Sequence, residues 1–293
     1  MRSSPFLTAV CLCCITGSLA HAGDWPAWRG DLLGSGKSTE TKSPLEWGPK
    51  KNLRWRVDLP ERGNSTPVVH GNRVFVTQAV SASNWRGLMC FSREDGSLMW
   101  KEGLTYEKKE RTHRSNPFCS ASPATDGKIV VASYGSAGIV AYSIDGKQLW
   151  HRDLGAIDHV WGNSTSPLLY RDLIIHYHGP AKNAVLYALD RKTGKTRWEW
   201  KETSWKPGKR TDGFRNQDGE GIIGSFSTPI IVPVGDREEN AASPKAELVF
   251  CQDRSRRSIG HHPARPCSAR VRAKDVPDVV PGRKSPKPKE AME

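Results

Sequence analysis

No apolar run in this 293-residue chain is long enough to cross a membrane as a helix. With hydrophobic residues at 37%, a multi-span membrane protein is excluded, while a globular core remains possible. Sustained 3.6-residue periodicity is missing as well, so helices are not expected. Cysteine is scarce. Three of the seven, Cys11, Cys13 and Cys14, fall in the first 14 residues, and the others are Cys90, Cys119, Cys251 and Cys267. That is too few for a disulfide scaffold, although an oxidising compartment would permit one bridge. Aromatic residues are absent from 251–293, whereas all 11 tryptophans lie between Trp25 and Trp205. Charge is uneven too. The chain carries a net +13, and its last 43 residues hold 11 Lys and Arg against 5 Asp and Glu.

What is present begins with an export signal. Arg2 precedes an apolar stretch from Phe6 to Ala20, closed by Ala20-His21-Ala22 and followed by Gly23. This predicts a cleavable signal peptide over 1–22, cut after Ala22, and a secreted or periplasmic chain. An uncleaved anchor is the alternative.

The middle of the chain is a repeat. Asp95-Gly96-Ser97-Leu98-Met99-Trp100, Asp145-Gly146-Lys147-Gln148-Leu149-Trp150 and Thr193-Gly194-Lys195-Thr196-Arg197-Trp198 each set a glycine four residues before a tryptophan. Upstream of each lie short runs rich in Val, Ile, Leu and Tyr. Ser65-Thr66-Pro67, Ala121-Ser122-Pro123, Thr165-Ser166-Pro167 and Ser227-Thr228-Pro229 open successive units. The Asp-Gly, Gly-Asn and Thr-Gly pairs supply the positive φ of tight hairpins, and the prolines sit where a missing N–H costs little. Each unit reads as a four-stranded antiparallel meander of ~45–50 residues, the signature of a β-propeller blade. The recurring Trp is expected to pack between neighbouring blades. A barrel would not require Pro, Gly and Trp to recur in phase.

The expected fold is therefore all-β: three complete blades at roughly 65–100, 121–150 and 164–200, and a fourth begun at Gly224 and reaching Phe250. Beyond Cys251 come Arg254, Arg256, Arg257, Pro263, Arg265 and Pro266, with no strand alternation. Residues 251–293 read as a disordered basic tail, and the propeller over 23–250 as incomplete, with an end that looks out of frame or fused. Bare blade edges then predict self-association and poor solubility.

The pattern aromatic-Ala/Ser-x-x-x-Asp/Thr-Gly-Lys-x-x-Trp resembles the PQQ-like (quinoprotein, tryptophan-docking) β-propeller repeat. Trp25-Pro26-Ala27-Trp28-Arg29-Gly30, with Leu45-Glu46-Trp47 and Leu53-Arg54-Trp55, is similar to the entry segment of secreted bacterial members. The resemblance implies one of two roles: a BamB-like binding scaffold without a cofactor, or a dehydrogenase using pyrroloquinoline quinone (PQQ) and calcium. The dehydrogenase type commonly carries a disulfide between adjacent cysteines over the quinone. Here the only adjacent pair, Cys13-Cys14, lies in the signal. Asp58, Asp126, Asp153 and Asp158 read as turn and cap residues rather than a catalytic base, and no catalytic residue is assigned.

The linkers between blades carry the candidate site. Glu107 to Asn116 reads EKKERTHRSN, Asp158 to Asn163 carries His and Trp, and Glu202 to Gly221 is a long insertion. Such connections converge on one face of a propeller, so His113, Asn116, His159, Trp161, Arg210 and Arg215 are expected to line one mouth. That mouth would be a groove for an anionic or sugar-like ligand, or for a peptide, and the chain as a whole is expected to bind a protein partner or an extracellular polymer. His176 and His178 share a strand face at metal-like spacing, but without a third ligand no metal is assigned. Cys251, His261, His262 and Cys267 match no common zinc finger. Nucleic acid is not an expected partner, because an exported chain seldom meets it. Envelope association is.

Overall fold

A computed structural model describes residues 23–201, apart from 32, 33, 39, 42 and 181–183, together with 226–233, 246–250 and 269–271. It contains no α-helix among these residues. The first sheet consists of β1 (Val68–His70), β2 (Arg73–Val80), β3 (Trp85–Ser92) and β4 (Leu98–Thr105) in sequential antiparallel order. The second consists of β5 (Ala124–Thr125), β6 (Ile129–Ser133), β7 (Ile139–Ser143) and β8 (Gln148–Arg152). The third consists of β9 (Leu168–Tyr170), β10 (Leu173–His178), β11 (Val185–Asp190) and β12 (Thr196–Lys201). These are the three blades the repeat predicts. A fourth sheet holds β13 (Ile230–Pro233), β14 (Ala246–Phe250) and β15 (Ala269–Val271). The last of these strands falls inside 251–293, where the sequence pattern predicts no strand; it pairs with β14 through its backbone. The rest of that tail and the signal segment lie outside the described residues.

Blades stack through their faces. Val68, Phe75, Leu88 and Cys90 of the first sheet pack with Val130, Ala132, Val140 and Tyr142 of the second. Val131, Ile139 and Ala141 meet Leu169, Ile174 and Leu189 of the third on the other side. The third sheet packs in turn against Ile231.

The recurring glycine and tryptophan form one inter-blade device. A Cβ on Gly146 would stand 2.9 Å from the ring of Trp100, and one on Gly194 only 2.6 Å from Trp150. Both glycines also have positive φ, +95° and +68°, so two separate constraints exclude a side chain there. The indole N–H of Trp100 donates to the Ile144 carbonyl at 3.2 Å, and that of Trp150 to the Arg191 carbonyl at 3.0 Å. Each tryptophan thus lies on the turn of the following blade. Trp55, read only as part of an entry segment, does the same to the first blade: its ring faces Gly96 and its N–H donates to the Arg93 carbonyl at 2.8 Å.

A second device runs along the innermost strands. The Thr66 N–H donates to Ser122 Oγ at 2.8 Å, the Ser122 N–H to Ser166 Oγ at 2.9 Å, and the Ser166 N–H to Thr228 Oγ1 at 3.1 Å. The hydroxyl residue before Pro123, Pro167 and Pro229 therefore satisfies a backbone donor of the preceding blade, a role the proline alone does not reveal. Under these strands runs the entry segment. Trp25 forms an antiparallel bridge with Val69, and the Pro26 carbonyl accepts the Thr125 N–H at 2.9 Å.

Candidate functional site

Three connections meet on one side of the blades: β4 to β5, β8 to β9, and the stretch leading into β13. The rings of His113 and Trp161 have centroids 4.4 Å apart at 45°. His159 meets Phe226 edge-on at 5.4 Å. Trp161, at 36% relative exposure, stands with exposed Val160 and Phe226. Two connections are laced by Asn116, whose side-chain amide donates to the carbonyls of Trp161 and Asn163, while its backbone N–H donates to the His113 carbonyl at 2.8 Å. His113 Nδ1 accepts from the Ser115 N–H at 3.3 Å, and His159 Nδ1 from the Trp161 N–H at 3.2 Å. Both rings are therefore oriented by their own loops.

Gly162 makes this lacing possible. Its φ is +70°, and a Cβ there would lie 2.3 Å from Thr112 Oγ1 of the neighbouring connection. Of the six residues the sequence singles out, the structure brings His113, Asn116, His159 and Trp161 together. Arg210 and Arg215 lie outside the described residues.

Beside this patch the β4–β5 connection is fastened by a pair that sequence reasoning missed. Arg86 of β3 and Glu110 form an ion pair with side chains 5% and 3% exposed. The Arg86 guanidinium also lies 3.9 Å over the Phe118 ring and 4.6 Å over Tyr106, and donates to the Tyr134 carbonyl at 3.0 Å. So many partners are what a buried cation requires. Arg111 adds a surface clasp to the next connection, with Nε and Nη2 donating to Asp158 Oδ1 at 3.0 and 2.8 Å. A cavity of about 570 Å³ opens between these groups, with Lys108 and Lys109 at its edge. Nothing in the sequence pairs Arg86 with Glu110, because their contact needs the connection to fold back over the sheet.

The remaining titratable candidates are structural. Asp126 Oδ1 accepts the Lys128 and Ile129 N–H groups at 3.0 and 3.1 Å, and Asp153 caps Gly155 at 2.8 Å. Asp158 holds Arg111. His176 and His178 are buried, with Nε2 of the first 3.2 Å from Ser133 Oγ and Nε2 of the second 2.9 Å from the Gly155 carbonyl. Burial, reinforced by the neighbouring His178, pushes His176 down to about 3 from its ordinary 6.5. Among the described residues no three His, Cys, Asp or Glu side chains converge as a metal site. Cys90 and Cys119 are buried free thiols, and burial raises Cys90 to about 12.

A family model described as outer membrane protein assembly factor BamB matches residues 46–165 and 86–227. Similar folds include a quinohemoprotein alcohol dehydrogenase from Pseudomonas putida HK5, at 20% identity and TM-score 0.45 over 66% of this chain and 29% of that one. Another is the quinohemoprotein alcohol dehydrogenase from Comamonas testosteroni, at 14% identity and TM-score 0.48 over 78% and 46%. BamB from Moraxella catarrhalis matches at 15% identity and TM-score 0.33, over 51% and 55%. The chain thus spans between about a third and about half the length of these solved structures. No curated protein matches its sequence. Because the family model covers more than half of the 293 residues, as two overlapping runs of blades, the chain belongs to the PQQ-like repeat family described as outer membrane protein assembly factor BamB.

Proposed function

We propose that this chain is an exported propeller segment that works by binding a protein partner, with the linker face around Trp161 as its contact surface. One observation carries the reading: exposed Trp161 and Phe226 and half-buried His113 and His159, drawn from three connections, form two aromatic pairs held by side-chain-to-backbone bonds. Rigid aromatic groups at the surface, with a buried ion pair beside them, suit protein recognition more than solvation. The family's BamB member is an assembly factor by name, which supports a partner of this kind. Arg210 and Arg215 would extend the face with positive charge.

No quinone or calcium takes part in this reading. The experiment cross-links the purified chain in envelope extract and compares Trp161→Ala with the unaltered protein. Specific partners should be lost from the variant while its far-UV circular dichroism is unchanged, and N-terminal sequencing of the exported form should begin at Gly23. Equal recovery by both proteins overturns the proposal. So does dye-linked alcohol oxidation after addition of PQQ and calcium.

A further inference from the structure

The cavity between the β4–β5 and β8–β9 connections has its charges sorted in a way the sequence does not show. Glu107-Lys108-Lys109-Glu110 is neutral as a stretch of chain. The fold separates the two signs. Glu110 turns inward to Arg86, where both side chains are buried. Glu107 turns to Asn84, whose side-chain amide donates to Oε2 at 3.2 Å. Lys108 and Lys109 stay exposed at the cavity's edge, and neither forms an ion pair among the described residues.

Four cations line the cavity against three carboxylates. Two of the cations are committed, Arg86 to Glu110 and Arg111 to Asp158, so the lysines carry the excess. Behind them the wall is apolar and fixed. Ile157 is 2% exposed, and its N–H donates to Ser136 Oγ at 2.8 Å. Phe118 and Tyr106 are held against the Arg86 guanidinium. The volume, about 570 Å³, falls within the range of pockets that enclose small ligands.

Water satisfies an exposed lysine, so the charge by itself calls for no ligand. The adjoining wall changes the balance. A carboxylate carried on a chain whose next side chain covers Ile157 gains charge-assisted hydrogen bonds and apolar burial together.

We infer that this cavity takes an acidic segment of the protein partner, with Asp or Glu carboxylates on Lys108 and Lys109 and an aliphatic side chain against Ile157 and Phe118. The inference rests on the reading of the Trp161 face as a partner surface, and it states the chemistry that partner carries. Asp158 and Trp161 are three residues apart in one connection, at most about 11 Å, so one bound segment can reach both the cavity and the aromatic patch.

Fluorescence anisotropy with a short fluorescein-labelled peptide of alternating Glu and Leu, titrated with the purified full chain, tests this. Saturable binding is expected, weakened about tenfold in Lys108→Gln with Lys109→Gln. Lys128→Gln with Lys147→Gln removes the same charge from exposed turns of the second blade and should leave the affinity unchanged. Peptides with Ser for Leu, or with Lys for Glu, should lose binding, because each keeps only one of the two contacts. No saturable binding, equal weakening by both variant pairs, or indifference to either peptide change would each overturn the inference. So would displacement of the peptide by alginate at a lower concentration of carboxylate, which would assign the cavity to an acidic polysaccharide. The peptide involves no envelope component. Indifference to Lys108 and Lys109 therefore counts against the cavity alone, and unchanged cross-linking by Trp161→Ala against the aromatic face alone.

Discussion

Two histidines show how a single residue type can look functional and act structurally. His176 and His178 alternate on β10 as metal ligands would, and that spacing was legible in the sequence. Their burial was not, because it depends on Ser133 and the Gly155 backbone of other elements. In the fold both rings are kept neutral by desolvation, although the Gly155 carbonyl and, after it, Asp153 pull His178 the other way. The unfolded chain takes up protons near pH 6.5, whereas folded His176 does so only near about 3. Stability from this group is therefore full above pH 6.5 and declines as pH falls from there towards 3, by at most about 1.4 kcal/mol per pH unit. Urea midpoints at pH 7.5, 5.5 and 4.5 should fall in that order, and His176→Gln should flatten the slope. An unchanged slope in the variant would remove His176 from the account. Arg86 and Glu110 are the opposite case: neither stood out in the sequence, yet together they fasten the connection that carries His113.

At the level of the strand, one irregularity recurs in phase. Cys90 faces Trp100 but Phe91 faces Leu98, so Met99 has no opposite residue. Leu149 and Arg197 are skipped in the same place in the next two blades. An extra residue in one strand bends it and re-aims the side chains beside it. Here the bulge stands directly before Trp100, Trp150 and Trp198, and Met99 and Leu149 are left 45% exposed. The Gly-x-x-x-Trp spacing was readable because its chemistry repeats, but the bulge was not, since its three residues share no side-chain property. Likewise, the Ser/Thr-Pro openings announced a strand start through proline, while the hydroxyl's bond to the preceding blade needed coordinates. Trp150→Phe keeps an aromatic ring and removes the donor to the Arg191 carbonyl, which should cost about 1–3 kcal/mol. Gly194→Ala should cost more, because it adds a clash to an unfavourable φ. The two combined should fall short of the sum of their separate effects in denaturant unfolding, since they break the same contact.

Across the molecule, stability should follow the number of neighbours each blade has. The second sheet is packed on both faces, against the first and the third. In a stack held by nearest-neighbour contacts, such a unit opens last. Hydrogen exchange read by mass spectrometry should therefore be slowest in β6 and β7 and faster in β2 and β3, whose sheet has one neighbouring blade among the described residues; equal protection would mean that the stack melts as one body. The inner hydroxyl ladder has a further consequence for how such a molecule can change over time. Every rung runs the same way, from an amide to the hydroxyl of the next blade in the chain. A duplicated repeat would arrive carrying one amide to give and one hydroxyl to receive, so it could be spliced in or lost without leaving either neighbour short. Inserting half a repeat, or one in the reverse sense, would break the thread at two places. The ladder thus makes the whole blade the unit of inheritance.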